Sequence, residues 1–174
     1  MDKQSEGKIF LNFKNCILPW TKSCLVCGEE NKKGFRLRSR VENGVVVIDY
    51  IVKPEDAGWK EMAHGGISMI LMDEVMTWAA MLFLHNACVA AEITCRMRKP
   101  IRINTKLRVE GWVCKGREKL VLTGSHILDE KEEILSVSSG KYFPMLPAEY
   151  NFCKSDFVSD SLDPDIIASI FKMT

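Results

Sequence analysis

The stretch HGGISMILMDEVMTWAAMLFL, His64 to Leu84, decides the fold. At 100° per residue its apolar side chains surround the axis almost completely, and a helix that is apolar all round is buried. The periodic run reads as one long helix that starts after His64-Gly65-Gly66 and ends near Leu84. Its carboxylates are Asp73 and Glu74, which fall near one side with Thr77, so a small polar cluster sits in the middle of an apolar rod. The same two acids interrupt the longest apolar stretch, Ile67 to Leu84, and argue against a membrane span.

Working outward, the flanking sequence reads as β-structure. Gly34 to Val52 is expected to form two strands around a turn at Asn43-Gly44, a favoured hairpin dipeptide. Phe35, Leu37 and Ser39 alternate there with Arg36, Arg38 and Arg40, which gives one charged face. After the helix come Cys88 to Lys99, ending at Pro100, then Lys106 to Cys114, Lys119 to Leu128 and Ile134 to Phe143. Turn-like junctions join these four, which predicts an antiparallel meander. One buried helix among such strands predicts an α+β domain whose sheet wraps the helix, because nothing else covers its whole circumference. Residues 1–23 read as a lead-in, 24–145 as the folded body and 146–174 as an appendage. Asp163-Pro164 opens a short helix in that appendage that runs to Phe171.

Composition excludes several classes. The chain has 174 residues, 47% of them hydrophobic, so it buries its own core and is not disordered. A formal net charge of +1 argues against a dedicated nucleic-acid binder. Seven cysteines is an odd number, and the start, Met1 to Lys8, leads into no long apolar run. A reducing, cytoplasmic setting without membrane partners is therefore expected. No Walker loop, dinucleotide fingerprint or Gly-x-Ser-x-Gly elbow occurs. Cys24-x-x-Cys27 lacks a second pair at zinc spacing, so it reads as a packed loop shaped by Gly28, and neither a metal nor a cofactor is expected. Cys95 and Cys114 read as small buried residues on strands.

Two features of the helix point to chemistry. Its first amides have no partner within the helix and carry the positive end of the macrodipole, which favours an anion or a carbonyl oxygen becoming one. Gly65 and Gly66 let a ligand approach that backbone closely. Asp73, set among Met69, Ile70, Met72 and Met76, is either paired in the interior or reaches solvent through a gap in the sheet. Nine residues separate His64 from Asp73, about 13 Å along a helix, so one chain cannot bring both to a single carbonyl. Two copies packed antiparallel about a two-fold axis would.

HGGISMILMDEVMTWAA, with AEITCRMRKPI (Ala91 to Ile101) and CLVCGEENKKGFRL (Cys24 to Leu37), resembles the hotdog-fold acyl-CoA thioesterases of the PaaI-like branch. The resemblance covers about Cys24 to Phe143 and implies a helix wrapped by an antiparallel sheet, in homodimers that often pair as dimers of dimers. It implies that the Gly65 amide polarises the thioester carbonyl, and that Asp73 of the other subunit is the nucleophile or the base activating water. His64 would shape the helix start or sit near the thioester, and Gly66 is counted with Asp73, Gly65 and His64 among the catalytic residues. Many relatives place a Thr or Ser about ten residues before the proline that ends the strand; counting back from Pro100 gives Ala90, which leaves Thr77 or Thr94 to substitute. Trp59 and the helix side chains are candidates for the acyl pocket. Among the cations near the strand ends, Arg98, Lys99 and Lys141 are chosen for the coenzyme A phosphates. The expected function is hydrolysis of an acyl-CoA. The rival, favoured by Ala90, is an acyl-CoA-binding or sensing protein without turnover, and a hydratase is weaker because no Asp–His pair is in view.

Overall fold

A computed structural model describes residues 16–160 and 166–171. In chain order the elements are β1 Trp20–Thr21, β2 Arg40–Glu42, β3 Val45–Ile51, β4 Ala57–Trp59, β5 Met62–Ala63, α1 Gly65–Leu84, β6 Cys88–Met97, β7 Lys106–Arg117, β8 Leu120–Leu128, β9 Ile134–Pro144, α2 Pro147–Cys153, β10 Phe157–Val158 and α3 Ile166–Ile170. Helix α1 includes both glycines instead of following them. His64 supplies the reason: it is extended (φ −64°, ψ 136°), and its Nδ1 accepts the Gly66 amide at 2.9 Å, as a Ser or Asp N-cap would. The helix stops at His85, which turns into the left-handed region and places Nδ1 3.0 Å from the carbonyl of Ile170.

Six strands form one antiparallel sheet in the order β2-β3-β7-β8-β9-β6. Asn43 and Gly44 both have positive φ, 51° and 81°, the two-residue turn that their sequence predicts. Strands β7, β8 and β9 are the expected meander. Strand β6 departs from it, pairing with β9 (Ile93 opposite Gly140) and not with β7. The link through Pro100 explains the jump. It crosses the helix start, where the Ala63 amide donates to Ile101 O at 2.9 Å, and delivers β7 to β3 on the other side. The sheet thus reaches round both flanks of α1, as a helix apolar on all sides requires. Where β7 packs on α1, a Cβ on Gly111 would lie 2.7 Å from the Val75 backbone, so only glycine fits there. By length and composition α1 could cross a membrane, but ten of its twenty residues are buried inside this sheet, as in a core helix.

Gly34 to Ser39 is not a strand of that sheet. Phe35 and Leu37 donate their amides to Leu25 O and Val26 O, both at 2.9 Å, and Arg36 has φ 56°, so the alternating run closes the Cys24–Cys27 loop. The lead-in and the appendage meet: β1 pairs with β10, and Ser23 Oγ donates to Asp156 at 2.6 Å. Asp163-Pro164, the expected start of the last helix, lies outside the described residues; α3 and Phe171 follow it, with Phe171 against Tyr150 and Phe157. Cys95 and Cys114 are half-buried, not buried. For Cys95 the reason is its strand: β6 ends the sheet order, and most of its residues are exposed, Val89 and Met97 by 47% and 49%.

Candidate active site

The loop before α1 is held by one buried carboxylate. Asp56 Oδ2 accepts from Tyr50 Oη at 2.6 Å and from the Lys53 amide at 2.7 Å, while its carbonyl accepts the His64 amide at 2.7 Å. Burial and the Asp56 charge push the Tyr50 hydroxyl well above the usual tyrosine range, so it stays a donor. His64 then occupies the amide of Gly66. Among the described residues nothing accepts the amide of Gly65, which leaves it as the open donor at the positive end of the helix.

Beside that amide lies a cleft of about 270 Å³, lined in part by Gly65, Ser68, Met97, Arg98, Lys99 and Pro100. Met97 covers the helix start: a Cβ on Gly65 would sit 2.6 Å from its Cε. Arg98 and Lys99 both donate their amides to Leu135 O, which fixes their backbone at the rim. The Lys99 ammonium pairs with Glu133.

Asp73 is paired, and it is also half-exposed. Its Oδ1 accepts from Tyr142 Oη at 2.7 Å and from Thr77 Oγ1 at 3.2 Å. Among the described residues Oδ2 has no partner, so one oxygen is anchored and the other is open. Tyr142 is 0% exposed, and burial with the Asp73 charge drives its hydroxyl far above the ordinary value. Cys88 is raised for the same two reasons and donates its thiol to Thr77 O at 3.6 Å.

Glu74 does not belong to this cluster. One step round the helix, its Oε1 accepts from Trp78 Nε1 at 3.1 Å, and its carboxyl faces the thiols of Cys24 and Cys27. Burial raises it to about 8, the Cys24 charge adding to that and the Trp78 bond partly offsetting it. Cys24 is pulled down to about 6, chiefly by the Cys27 thiol donating to it and further by backbone amides; Cys27 is pushed up by giving that bond and by burial.

The remaining candidates are scattered. Trp59 on β4 is 78% exposed. Lys141 pairs with Glu92 at 2.6 Å on the outside of β9 and β6. Ala90 stands opposite Tyr142 in the β6–β9 register, on the Asp73 side, whereas Thr94 stands opposite Ser139, farther along. Thr77 is thus the threonine that touches Asp73. Within one chain the Gly65 amide and Asp73 do not converge: Met97 lies over the first, and Tyr142 and Thr77 hold the second.

Residues 61–135 match the model of the thioesterase superfamily. The chain has the hotdog fold of that superfamily. Among solved structures it is similar to the PaaI protein of E. coli from the phenylacetic acid degradation operon, at 18% identity and TM-score 0.60, over 67% of this chain and 87% of that one. It is similar to smu.793 of Streptococcus mutans bound to acetyl CoA, at 13% identity and TM-score 0.56, over 58% and 81%. It is also similar to a hypothetical thioesterase of Streptococcus pneumoniae with coenzyme A, at 16% identity and TM-score 0.55, over 58% and 81%. No curated protein matches the chain. The matched hotdog segment includes the helix start, Asp73 and the rim cations, and ends before Tyr142. Tyr142 was not singled out from the sequence: alternation in β9 turns it toward the helix, but only the fold shows which helix residue its hydroxyl meets.

Proposed function

We propose that the chain is a homodimeric acyl-CoA thioesterase of the PaaI-like branch, its active site built from the Gly65 amide of one copy and Asp73 of the other. The observation that carries this reading is the asymmetric hold on Asp73: Tyr142 and Thr77 bind Oδ1 and leave Oδ2 open. An anchored carboxylate with one free oxygen suits a general base. The thioester carbonyl oxygen lies at the Gly65 amide, where negative charge develops in the transition state. Asp73 takes a proton from water, the water oxygen bonds to the carbonyl carbon, and the carbon–sulfur bond breaks. Coenzyme A leaves as a thiolate that recovers the proton.

The open edge of β6 supports the pairing. Joined antiparallel about a two-fold axis near Ile93, two copies of β6 would set Met97 of one opposite Val89 of the other. The helix start beneath Met97 then approaches Ala90, Tyr142 and Asp73 of the other copy. Pairing also covers the exposed Val89 and Met97 and satisfies a strand edge that would otherwise invite aggregation. Arg98 and Lys99 at the cleft suit the phosphates of coenzyme A, and the odd number of cysteines, seven, suits a reducing, cytoplasmic setting.

Ala90 favours a second reading, an acyl-CoA carrier or sensor, because no hydroxyl stands there to position the water. Thiol release from a panel of acyl-CoA esters by wild type and Asp73→Asn separates the two. The thioesterase reading expects turnover that Asp73→Asn abolishes. Tight coenzyme A binding with no thiol release selects the sensor.

A further inference from the structure

The lead-in loop and the central helix bring together three soft or anionic donors that the hydrolase reading does not use. The sulfurs of Cys24 and Cys27 and a carboxylate oxygen of Glu74 all lie within 4.8 Å of one another. We propose that Cys24, Cys27 and Glu74 form a zinc site that staples the lead-in loop to helix α1. Two thiolates with one carboxylate are a donor set for Zn²⁺, not for Mg²⁺ or Ca²⁺. A tetrahedral zinc with Zn–S near 2.3 Å holds two sulfurs about 3.8 Å apart, so closing the cluster takes small side-chain rotations. Three protein ligands leave the fourth position to water.

The surroundings are built for ligation. The amides of Val26 and Cys27 point at Cys24 Sγ, at 3.2 and 3.4 Å, and so stabilise it as a thiolate ligand. The turn that presents both sulfurs closes with Gly28 N donating to Cys24 O at 3.0 Å. A Cβ on Gly28 would lie 2.4 Å from that oxygen, so the turn requires glycine. Arg38 Nη1 fixes Cys27 O at 2.7 Å from outside, and Asn31 Nδ2 fixes Ser23 O at 3.0 Å. On the helix side Trp78 Nε1 binds Glu74 Oε1 at 3.1 Å, orienting the carboxylate and leaving its second oxygen for the metal. Among the described residues no lysine or arginine pairs with Glu74, so a bound cation would meet no competing side-chain positive charge at its carboxylate. The sequence hid the site because its third ligand stands 47 residues beyond Cys27 and is not a cysteine or histidine.

The full chain, purified under reductant without chelators, tests this by zinc content, by competition with a chromophoric chelator, and by the spectrum of the cobalt-substituted form. One zinc per chain is expected, with a near-ultraviolet thiolate-to-cobalt charge-transfer band and visible bands of tetrahedral geometry. The double variant Cys24→Ser/Cys27→Ser is expected to lose the charge-transfer band. Glu74→Gln is expected to keep that band and bind zinc more weakly, on the order of tenfold or more. Circular dichroism checks that each variant is folded, and the wild-type cobalt spectrum requires no variant at all. A folded wild type that takes up no metal and shows no charge-transfer band overturns the proposal. So does Glu74→Gln with unchanged zinc affinity.

Discussion

Tyr142 and Asp73 meet across 2.7 Å, a phenol on β9 donating to a carboxylate in the middle of α1. The bond ties β9, the strand that β6 pairs with, to the proposed base, and with Thr77 it decides which carboxylate oxygen stays open. Tyr142→Phe keeps the ring in its buried place and removes this donor. A hydrogen bond to a charged group is worth about 1.5–3 kcal/mol, so kcat for acyl-CoA hydrolysis is expected to fall on the order of tenfold or more with KM little changed. Steady-state kinetics on one good substrate measures it; an unchanged kcat would remove Tyr142 from the machinery.

Gly65→Pro deletes the open amide with little effect on the helix. Proline is favoured at the first helical position, and His64 already has the extended conformation that a residue before proline adopts. A Cβ at this position meets only the flexible end of Met97. Loss of one such donor is expected to lower kcat by about 10²–10³-fold while the circular dichroism spectrum and melting temperature stay close to wild type. A folded Gly65→Pro protein at full activity would show that another group polarises the carbonyl.

The rim cations should act on binding more than on chemistry. Arg98→Ala combined with Lys99→Ala is expected to raise KM for acyl-CoA several-fold at low salt, with a smaller effect at high salt, where screening already weakens the attraction. Lys141→Ala is expected to change KM less, since Lys141 lies on the outside of β9 and β6 and does not line the cleft. Equal effects from all three cations would place the coenzyme A phosphates nearer β9.

Glu74 makes stability depend on pH in a stated direction. Its folded value near 8 stands above the ordinary 4.5, so the folded chain holds a proton that the unfolded chain has released between those limits. The contribution is complete below pH 4.5 and is lost as pH rises through 8. Glu74→Gln carries no such proton. In chelator and reductant, thermal melts should show the variant close to wild type at pH 4.5 and more stable than wild type at pH 8. Parallel curves would mean that Glu74 is not buried as described.

Much of the fold was legible from α1, because a helix apolar on every side admits few covers. The Asn43-Gly44 hairpin and the strands after Lys106 followed from local pattern. The position of β6 did not: strand periodicity says which residues face inward but not which strand lies alongside, and the Pro100 link carries the chain across the helix. The open amide of Gly65 was foreseen, while the capping of Gly66 by His64 was not, since a histidine cap has no strong sequence signal. Asp73 and Glu74 looked like one polar cluster. The fold separates them because neighbouring helix positions point 100° apart, one toward Tyr142 and the other toward the cysteines.

The central claim is that Gly65 and Asp73 act across two copies, and subunit mixing tests it most directly. Gly65→Pro and Asp73→Asn homodimers are each expected to be nearly inactive. Unfolded together in equal amounts and refolded, half of the dimers are mixed, and each mixed dimer holds one site with both wild-type groups, so about a quarter of wild-type activity should return. Thiol release from acyl-CoA by the mixture, against each variant alone, is the measurement. Recovery near that level is the predicted result; a mixture no more active than its parents would contradict a site shared between subunits.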